Sequence, residues 1–486
     1  MTGPADQLTV AHRRDASGVP ASRTVADLLR TAPVIGRADM TVRQAAALMT
    51  ERGQDYVVIP LGDGRHGLLT DADIRGRIVA AGLDVDIPVG EVVDRPAFVL
   101  DARTPTVDAL TELLDRGLHV IPVCDDGGAV LGVIGKGDFV ADPAGASMPL
   151  REQVSRSGDV AELQSHARRI PQLVADLVRR DRPAHEIARV TSLIVDAVVV
   201  RGLELVVDPR VDPASYTWVS LGSNARREPV LGSDIDSAAV FDDSLDPASL
   251  DTCRRVFAEL DDVLRGAGMT VDAKGVVASK PLFSRTRSAW ESAVRAWVGE
   301  PLDNRGLIFT SLVLDGRPLR SASPGVRIGD RLSAALRTDP RARRLLLEDA
   351  LANKARLRTM RDVLTGRGGT FDLKTHALTP LVNIARWAAV AVDSTERNTR
   401  ERLRAASGSP MLSEDDAATL LEVFDVLQRI RLRYQVAQFD RGETPTDVVE
   451  MKRLSPLDRS LVAQAVREIA GAQRRMTGMS HYQVDR

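Results

Sequence analysis

The stretch Trp218 to Phe241, WVSLGSNARREPVLGSDIDSAAVF, constrains the fold more than any other part of this 486-residue chain. It reads as a strand, a Gly-Ser turn, a short polar helix and a second strand that carries two aspartates. Gly222-Ser223 is followed by ten residues and then by Asp234-Ile235-Asp236. Successive strand side chains point to opposite faces, so Asp234 and Asp236 are expected on one face and Ile235 in the core. Two carboxylates side by side suit hard divalent cations, which fill their remaining positions with water and phosphate oxygens. A glycine lets the backbone approach a triphosphate, and the helix behind it offers free N–H groups. A D-x-D alone is common and more often marks a strand ending in a solvated acidic turn. The Gly-Ser turn upstream, set between two apolar strands, favours a nucleotide-handling site instead.

The segment is similar to the nucleotidyltransferase superfamily that includes DNA polymerase beta. Within it, the segment resembles the protein-modifying branch of protein-PII uridylyltransferases and glutamine-synthetase adenylyltransferases. It most resembles a bacterial family of nucleotidyltransferases coupled to CBS domains, DUF294, whose motif runs approximately GS-x-x-R-x-E and then D-x-D. Gly222, Ser223, Arg226, Glu228, Asp234 and Asp236 occupy those positions. Ala225 and Arg227 stand where that family often has glycine, which predicts a stiffer and more basic loop.

The length argues for about three domains. Hydrophobic residues make up 44%, enough for ordinary cores, and the formal net charge is −2. That balance gives no bulk attraction to nucleic acid or to an anionic membrane. Cys124 and Cys253 are the two cysteines and form neither a metal-ligand pattern nor a disulfide framework, as expected in a reducing cytoplasm. The polar N-terminus lacks the apolar core of a signal peptide. No apolar run approaches the ~18 residues that a bilayer span needs. The most apolar stretch, Val190 to Val200, is interrupted by Asp196 and reads as a buried helix.

From about residue 23 to 141 the chain repeats itself with an offset of about 65 residues. TVRQAAALMTERGQDYVVIP and GLLTDADIR in the first copy correspond to TVDALTELLDRGLHVIPV and GVIGKGDFV in the second. Each copy reads helix, strand, turn, strand, helix. The repeat resembles a tandem CBS pair, a Bateman module, whose signature is G-h-x-T/S-x-x-D. Gly67, Thr70 and Asp73 keep it, whereas the second copy has Gly135 in place of the hydroxyl and retains Asp138. The resemblance implies that the hydroxyl meets phosphate and the carboxylate meets ribose hydroxyls, so that an adenine nucleotide binds at the first copy. The alternative is that both copies serve only to pair two chains.

The expected fold is α/β plus all-α. A flexible leader covers 1–22, CBS repeats cover 23–82 and 83–141, and a linker covers 142–158. A polymerase-beta-like nucleotidyltransferase domain with leading helices covers 159–325, and an all-α domain covers 326–480. Two amphipathic helices are expected before the catalytic sheet, the second opened by Pro183. His166 and His185 on them read as structural. Trp290 and Trp297, seven residues apart, share a helix face and read as core. LIFTSLVLDGRPL reads as a strand ending at Asp315. In the uridylyltransferases a similar strand ends in the third acidic residue beside the metal pair, which makes Asp315 the candidate, with Asp272 its rival. In the last domain, DLK at Asp372 to Lys374 precedes a helix opened by Thr379-Pro380. There Lys374 is a candidate triphosphate contact, with Arg386 or Arg431 assisting.

Together the resemblance implies a nucleoside triphosphate held at Gly222, Ser223, Arg226, Glu228 and Lys374. Mg²⁺ or Mn²⁺ is expected on Asp234, Asp236 and Asp315, and UMP or AMP is transferred to a hydroxyl of an acceptor protein. The CBS pair would sense adenine nucleotide, and the expected assembly is a homodimer in the cytoplasm, without membrane or nucleic-acid partner. The alternative is a non-catalytic nucleotide-sensing regulator. A polymerase acting on nucleic acid is disfavoured by the net charge and the 3% aromatic content.

Overall fold

Sixty-five residues apart, the two copies of the repeat fold onto the same plan. The helix Val42–Arg52 opens at Thr41, whose hydroxyl accepts from Gln44 N while the Gln44 side chain accepts from Thr41 N. This reciprocal cap satisfies two donors that a first helical turn leaves open. Val42, Ala45 and Met49 on one face are buried against the antiparallel hairpin of β1 (Tyr56–Gly62) and β2 (Arg65–Thr70). In the second copy the strand β3 (Leu100–Asp101) precedes the helix Thr106–Asp115. The hairpin of β4 (Val120–Cys124) and β5 (Val130–Gly135) follows. The symmetry extends to single bridges: Ile35 lies parallel to Val58, and Leu100 parallel to Val123. Thr41 also bridges Pro88, and Thr24 bridges Pro105, so each copy is closed by a segment of the other.

The computed structural model describes residues 23–93, 95–140, 142–272, 275–320, 327–357 and 369–482. The leader expected over 1–22 lies outside them. The chain divides into two units, Met1–Met148 and Pro149–Arg486. The expected linker is not open chain throughout. It holds a helix, Met148–Ser155, whose Leu150 and Val154 are buried one turn apart, an i, i+4 pair hidden among small and polar residues.

In the second unit three helices, where two are expected, lead to the sheet: Val160–Ala167, Ile170–Arg179 and Ala184–Leu205. Pro183 is the N-cap of the last one, where the missing N–H is not needed. The strands that follow are β6 (Tyr216–Ser220), β7 (Asp234–Ile235), β8 (Ser237–Phe241), β9 (Thr270–Val271), β10 (Ser284–Thr286) and β11 (Arg317–Arg320). Four of them form one sheet in the order β10-β8-β6-β11. β8 and β11 flank β6 antiparallel, and β10 joins β8 parallel. β6 and β8 are buried along their whole length. Trp290 and Trp297 pack edge to face with ring centroids 6.0 Å apart, and the Trp290 indole N–H donates to Ala239 O at 2.8 Å. The expected core role of both rings therefore holds.

Two expectations need correction. Leu307 to Leu314 is not a strand but lies in the helix Gly306–Val313 and its C-cap. An unbroken apolar run of this length carries no period that separates the two. Burial of Gly306, Thr310 and Val313 follows helical spacing. Nor is the C-terminal part wholly helical. Among Ile328–Thr338, Pro340–Ala352, Thr379–Ala391, Thr399–Ala406, Glu414–Asp440 and Pro456–Tyr482 runs a small antiparallel ribbon of β12 (Thr370–Asp372) and β13 (Val448–Glu450). Phe371 opposes Val449 in it, and both are buried. No helix among the described residues is long and apolar enough to cross a membrane.

His185 has a structural setting. Burial, then the positive charge of Arg400, Arg189, Arg404 and Arg182, pushes its imidazole down to about 3. An unfolded histidine takes up a proton near 6.5, whereas this one stays neutral far below that. The unfolded chain therefore binds more protons between those values, and acidification through 6.5 favours unfolding. His185→Gln is expected to flatten the fall of stability with acid by up to one proton's slope, read from urea unfolding at a series of pH values. An unchanged slope would show that His185 titrates normally.

Candidate active site

The Gly-Ser turn is built around the second aspartate. Gly222 has φ +57°, a left-handed conformation that suits glycine. A Cβ at this position would fall on the Asp236 carboxylate. Two bonds fasten the loop to the acidic strand: Leu221 N donates to Asp236 O at 3.0 Å, and Asn224 Nδ2 donates to Asp234 O at 3.0 Å. Glu228 N donates to Ser223 O at 2.8 Å and closes the turn. Beyond β7 the chain changes partner at Asp236. β7 pairs in parallel with β9, Asp234 opposite Thr270 and Ile235 opposite Val271, while β8 belongs to the four-stranded sheet. The next step of the β7–β9 register sets Asp236 beside Asp272.

The electrostatics agree with that placement. Burial pushes the Asp236 carboxyl up to about 7, and the neighbouring Asp272 and Asp234 carboxylates add to the shift. Asp272 is fixed by Val276 N, which donates to its Oδ2 at 2.8 Å. Lys374 arrives from the helical part, its Nζ 3.7 Å from Asp234 Oδ2. The turn that presents it is tied by Thr375, whose N and Oγ1 donate to the two Asp372 oxygens at 2.8 and 2.7 Å. Among the described residues no group of three or more His, Cys, Asp or Glu forms a ready metal cage. Magnesium sites in phosphoryl chemistry characteristically use one or two carboxylates, with substrate phosphates completing the shell. Burial, with two neighbouring carboxylates added, raises the Asp236 carboxyl, and such an acidic face beside a glycine turn fits Mg²⁺ or Mn²⁺.

Asp315, the expected third acid, sits elsewhere. Its side chain is fully buried and both oxygens are engaged by guanidinium groups. Arg226 NH1 lies 2.5 Å from Oδ2, and Arg386 reaches Oδ1 at 3.1 Å and Oδ2 at 2.7 Å. Arg402 NH1 lies 2.6 Å from Oδ1. Burial works against its charge, but Arg386, Arg402 and Arg226 together hold the carboxyl far below the ordinary carboxylate range. The position beside the pair belongs to Asp272, the rival. Arg226 and Glu228, expected on nucleotide, belong to the same buried network. Arg226 Nε donates to Glu228 Oε2 at 2.9 Å, and Glu228 Oε1 accepts from Thr399 N at 2.6 Å. Arg386 is likewise occupied, and Arg431 pairs with Asp447 at 2.6 and 2.7 Å. Arg402, Asn398 and Thr399 carry no sequence signal for this role, because their partners lie 87 to 172 positions away.

In the repeat unit Thr70 and Asp73 bond to each other. Thr70 Oγ1 donates to Asp73 Oδ2 at 2.6 Å, and Asp73 N donates to Thr70 Oγ1 at 3.2 Å. Asp138 accepts from Gly135 N at 2.8 Å. Both acids thus cap the turn that follows the hairpin, a structural duty beside any ligand role. A cavity of about 350 Å³ is lined by Leu68 and Arg77 of the first copy and Val93 and Arg95 of the second.

Comparison with known proteins covers most of the chain in pieces. Residues 168–304 match a family model described as "Putative nucleotidyltransferase DUF294". Residues 340–479 match one described as "Putative nucleotidyltransferase substrate binding domain". Residues 25–80 and 89–144 match the CBS domain. The uncharacterized protein MK0525 of Methanopyrus kandleri is 22% identical over 121 residues, 24% of this chain and 62% of that protein. Arabinose 5-phosphate isomerase GutQ of Salmonella typhi is 26% identical over 132 residues, 26% of this chain and 41% of the isomerase. The chain therefore spans less than two thirds of either relative. Among solved structures, the CBS domain protein PAE2072 from Pyrobaculum aerophilum, complexed with AMP, is 21% identical. It covers 25% of this chain and 95% of its own, with a TM-score of 0.24.

Removing the carboxylate from the arginine cage separates its two readings. Asp315→Ala leaves three buried guanidinium groups facing one another, a loss of about 3–5 kcal/mol for a broken buried pair. Urea unfolding is expected to show that loss. A variant as stable as wild type that no longer binds Mn²⁺ would return Asp315 to the acidic face.

Proposed function

We propose that this chain, which belongs to the DUF294 family of nucleotidyltransferases coupled to CBS domains, transfers UMP or AMP from a nucleoside triphosphate to a protein hydroxyl. The observation that carries the reading is the meeting of four segments at one point. The loop at Gly222 lies against Asp236, the β7–β9 register brings Asp272 alongside, and Lys374 faces Asp234. No purely structural need accounts for three carboxylates gathered there with so little positive charge to answer them.

In this proposal Asp234 and Asp236 hold the divalent cation, with Asp272 completing the acidic face. When bound, Mg²⁺ or Mn²⁺ supplies charge neutralisation at the phosphates and lowers the pKa of a bound hydroxyl. Gly222, Ser223 and the N–H groups of the turn cradle the triphosphate. Lys374 adds a point charge on the phosphate side, 3.7 Å from Asp234. The acceptor oxygen bonds to the α-phosphorus, the bond to the bridging oxygen breaks, and pyrophosphate leaves with that electron pair. Asp272 takes the proton from the attacking hydroxyl. Arg226 and Glu228 act by fixing the loop, not by touching nucleotide. The reading is closest to protein-PII uridylyltransferase, with a role in signal transduction. The CBS pair, through Thr70, Asp73 and Asp138, is proposed to bind adenine nucleotide and to join two chains as a homodimer.

The decisive experiment is transfer from α-³²P-labelled ATP and UTP into protein in a host lysate, with wild type beside Asp234→Ala/Asp236→Ala. A labelled band that requires Mg²⁺ and both aspartates is expected. Absence of label from either donor, even with adenine nucleotide added, would favour the non-catalytic nucleotide sensor. Asp272→Asn is expected to slow transfer by about 10²-fold or more, the range for losing a positioned base. Wild-type rates in that variant would remove Asp272 from the mechanism.

A further inference from the structure

Several arginines of the larger unit have no carboxylate partner among the described residues, and two of them gather with a lysine at one cavity. Lys354, Arg356 and Arg474 line a single cavity of about 610 Å³. Among the described residues no carboxylate pairs with any of the three, although the next residue, Arg475, pairs with Asp416. The cavity is held open by a built frame. Gln473 is buried, and its amide bonds the backbone on both sides of Lys354. Gln473 Nε2 donates to Asn353 O at 2.9 Å, and Ala355 N donates to Gln473 Oε1 at 3.0 Å. Leu351, Ala355 and Ala470 supply an apolar wall. Thr375 and His376 form its remaining side, immediately after the lysine that faces Asp234.

An apolar wall beside cations that have no carboxylate partner among the described residues suits a molecule with a flat organic part and a multiply charged anionic end. The volume falls within the range of small-molecule sites, and three cations exceed what a single carboxylate needs. We propose that this cavity binds a phosphorylated small molecule of nucleotide size, separate from both the acidic site and the CBS pair. The site goes beyond the transfer reaction and does not depend on it.

The test uses the full chain in EDTA with inorganic triphosphate and, in parallel, ATP, followed by calorimetry. Without a divalent cation the carboxylates at Asp234, Asp236 and Asp272 repel both probes, so the acidic site is silent. Saturable triphosphate binding is expected. It should weaken by about tenfold or more in Arg356→Ala/Arg474→Ala, the scale of losing charge-assisted bonds, and again in Lys354→Ala. The share of ATP binding that inorganic triphosphate displaces should weaken in the same variants, apart from any held by the CBS pair. All three residues are exposed, so folding should survive, and circular dichroism checks it. Asp234→Asn/Asp236→Asn should retain the binding. No saturable binding to wild type, binding untouched by the arginine substitutions, or loss confined to the aspartate variant would each overturn the proposal.

Discussion

The Asp315 carboxylate is the contact on which the geometry of the larger unit turns. It gathers Arg226 from the Gly-Ser loop, Arg386 from the helix Thr379–Ala391 and Arg402 from the helix Thr399–Ala406. Taking charges out of water is costly, and the cost is offset only when the set is complete and every hydrogen bond is made. Glu228 takes up Arg226 Nε and is itself held by Thr399, whose N and Oγ1 donate to its two oxygens. Through Arg226 it holds the loop that places Gly222 against Asp236. Through Arg386 it anchors the helix that continues from the Lys374 turn. The two sides of the acidic site are thus set by one ion cluster that does not belong to it.

Two aspartates that look alike in sequence have opposite fates. Asp315 is surrounded by more positive charge than it can neutralise and is held ionised. Asp236 is pushed up by burial, and the Asp272 and Asp234 carboxylates add to that shift. Burial is common to both, so the difference lies in the partners. The Asp315 oxygens are shared among three guanidinium groups, whereas the acidic face meets a single lysine at 3.7 Å.

That contrast also marks what the sequence could disclose. The Gly-Ser turn and the D-x-D were legible because each depends on a few neighbouring residues: a left-handed glycine, an alternating strand, an apolar flank. The repeat was legible because its offset is constant. The surroundings of Asp272 and Asp315 were not, since they rest on the parallel pairing of two strands of two residues each and on arginines up to 89 positions distant. Leu307 to Leu314 failed for a different reason, because an unbroken apolar run suits a helix or a strand equally until its packing is known. The helix Met148–Ser155 was missed because two buried residues are too few to show a period.

Arg227 adopts φ +59°, the left-handed region that an L side chain enters at some cost. Its guanidinium reaches Asp196 Oδ2 at 3.2 Å, and Arg317 reaches Asp196 Oδ1 at 2.8 Å. Asp196 is the acid that breaks the apolar run of the helix Ala184–Leu205. The three positions are therefore coupled energetically. Glycine at 227 relieves the backbone but weakens the answer to a buried charge, and an apolar residue at 196 strands two arginines. Either change alone is disfavoured while the combination is accessible, so lineages should cross between the two arrangements in paired steps, and single substitutions here should be poorly tolerated in one background and neutral in the other.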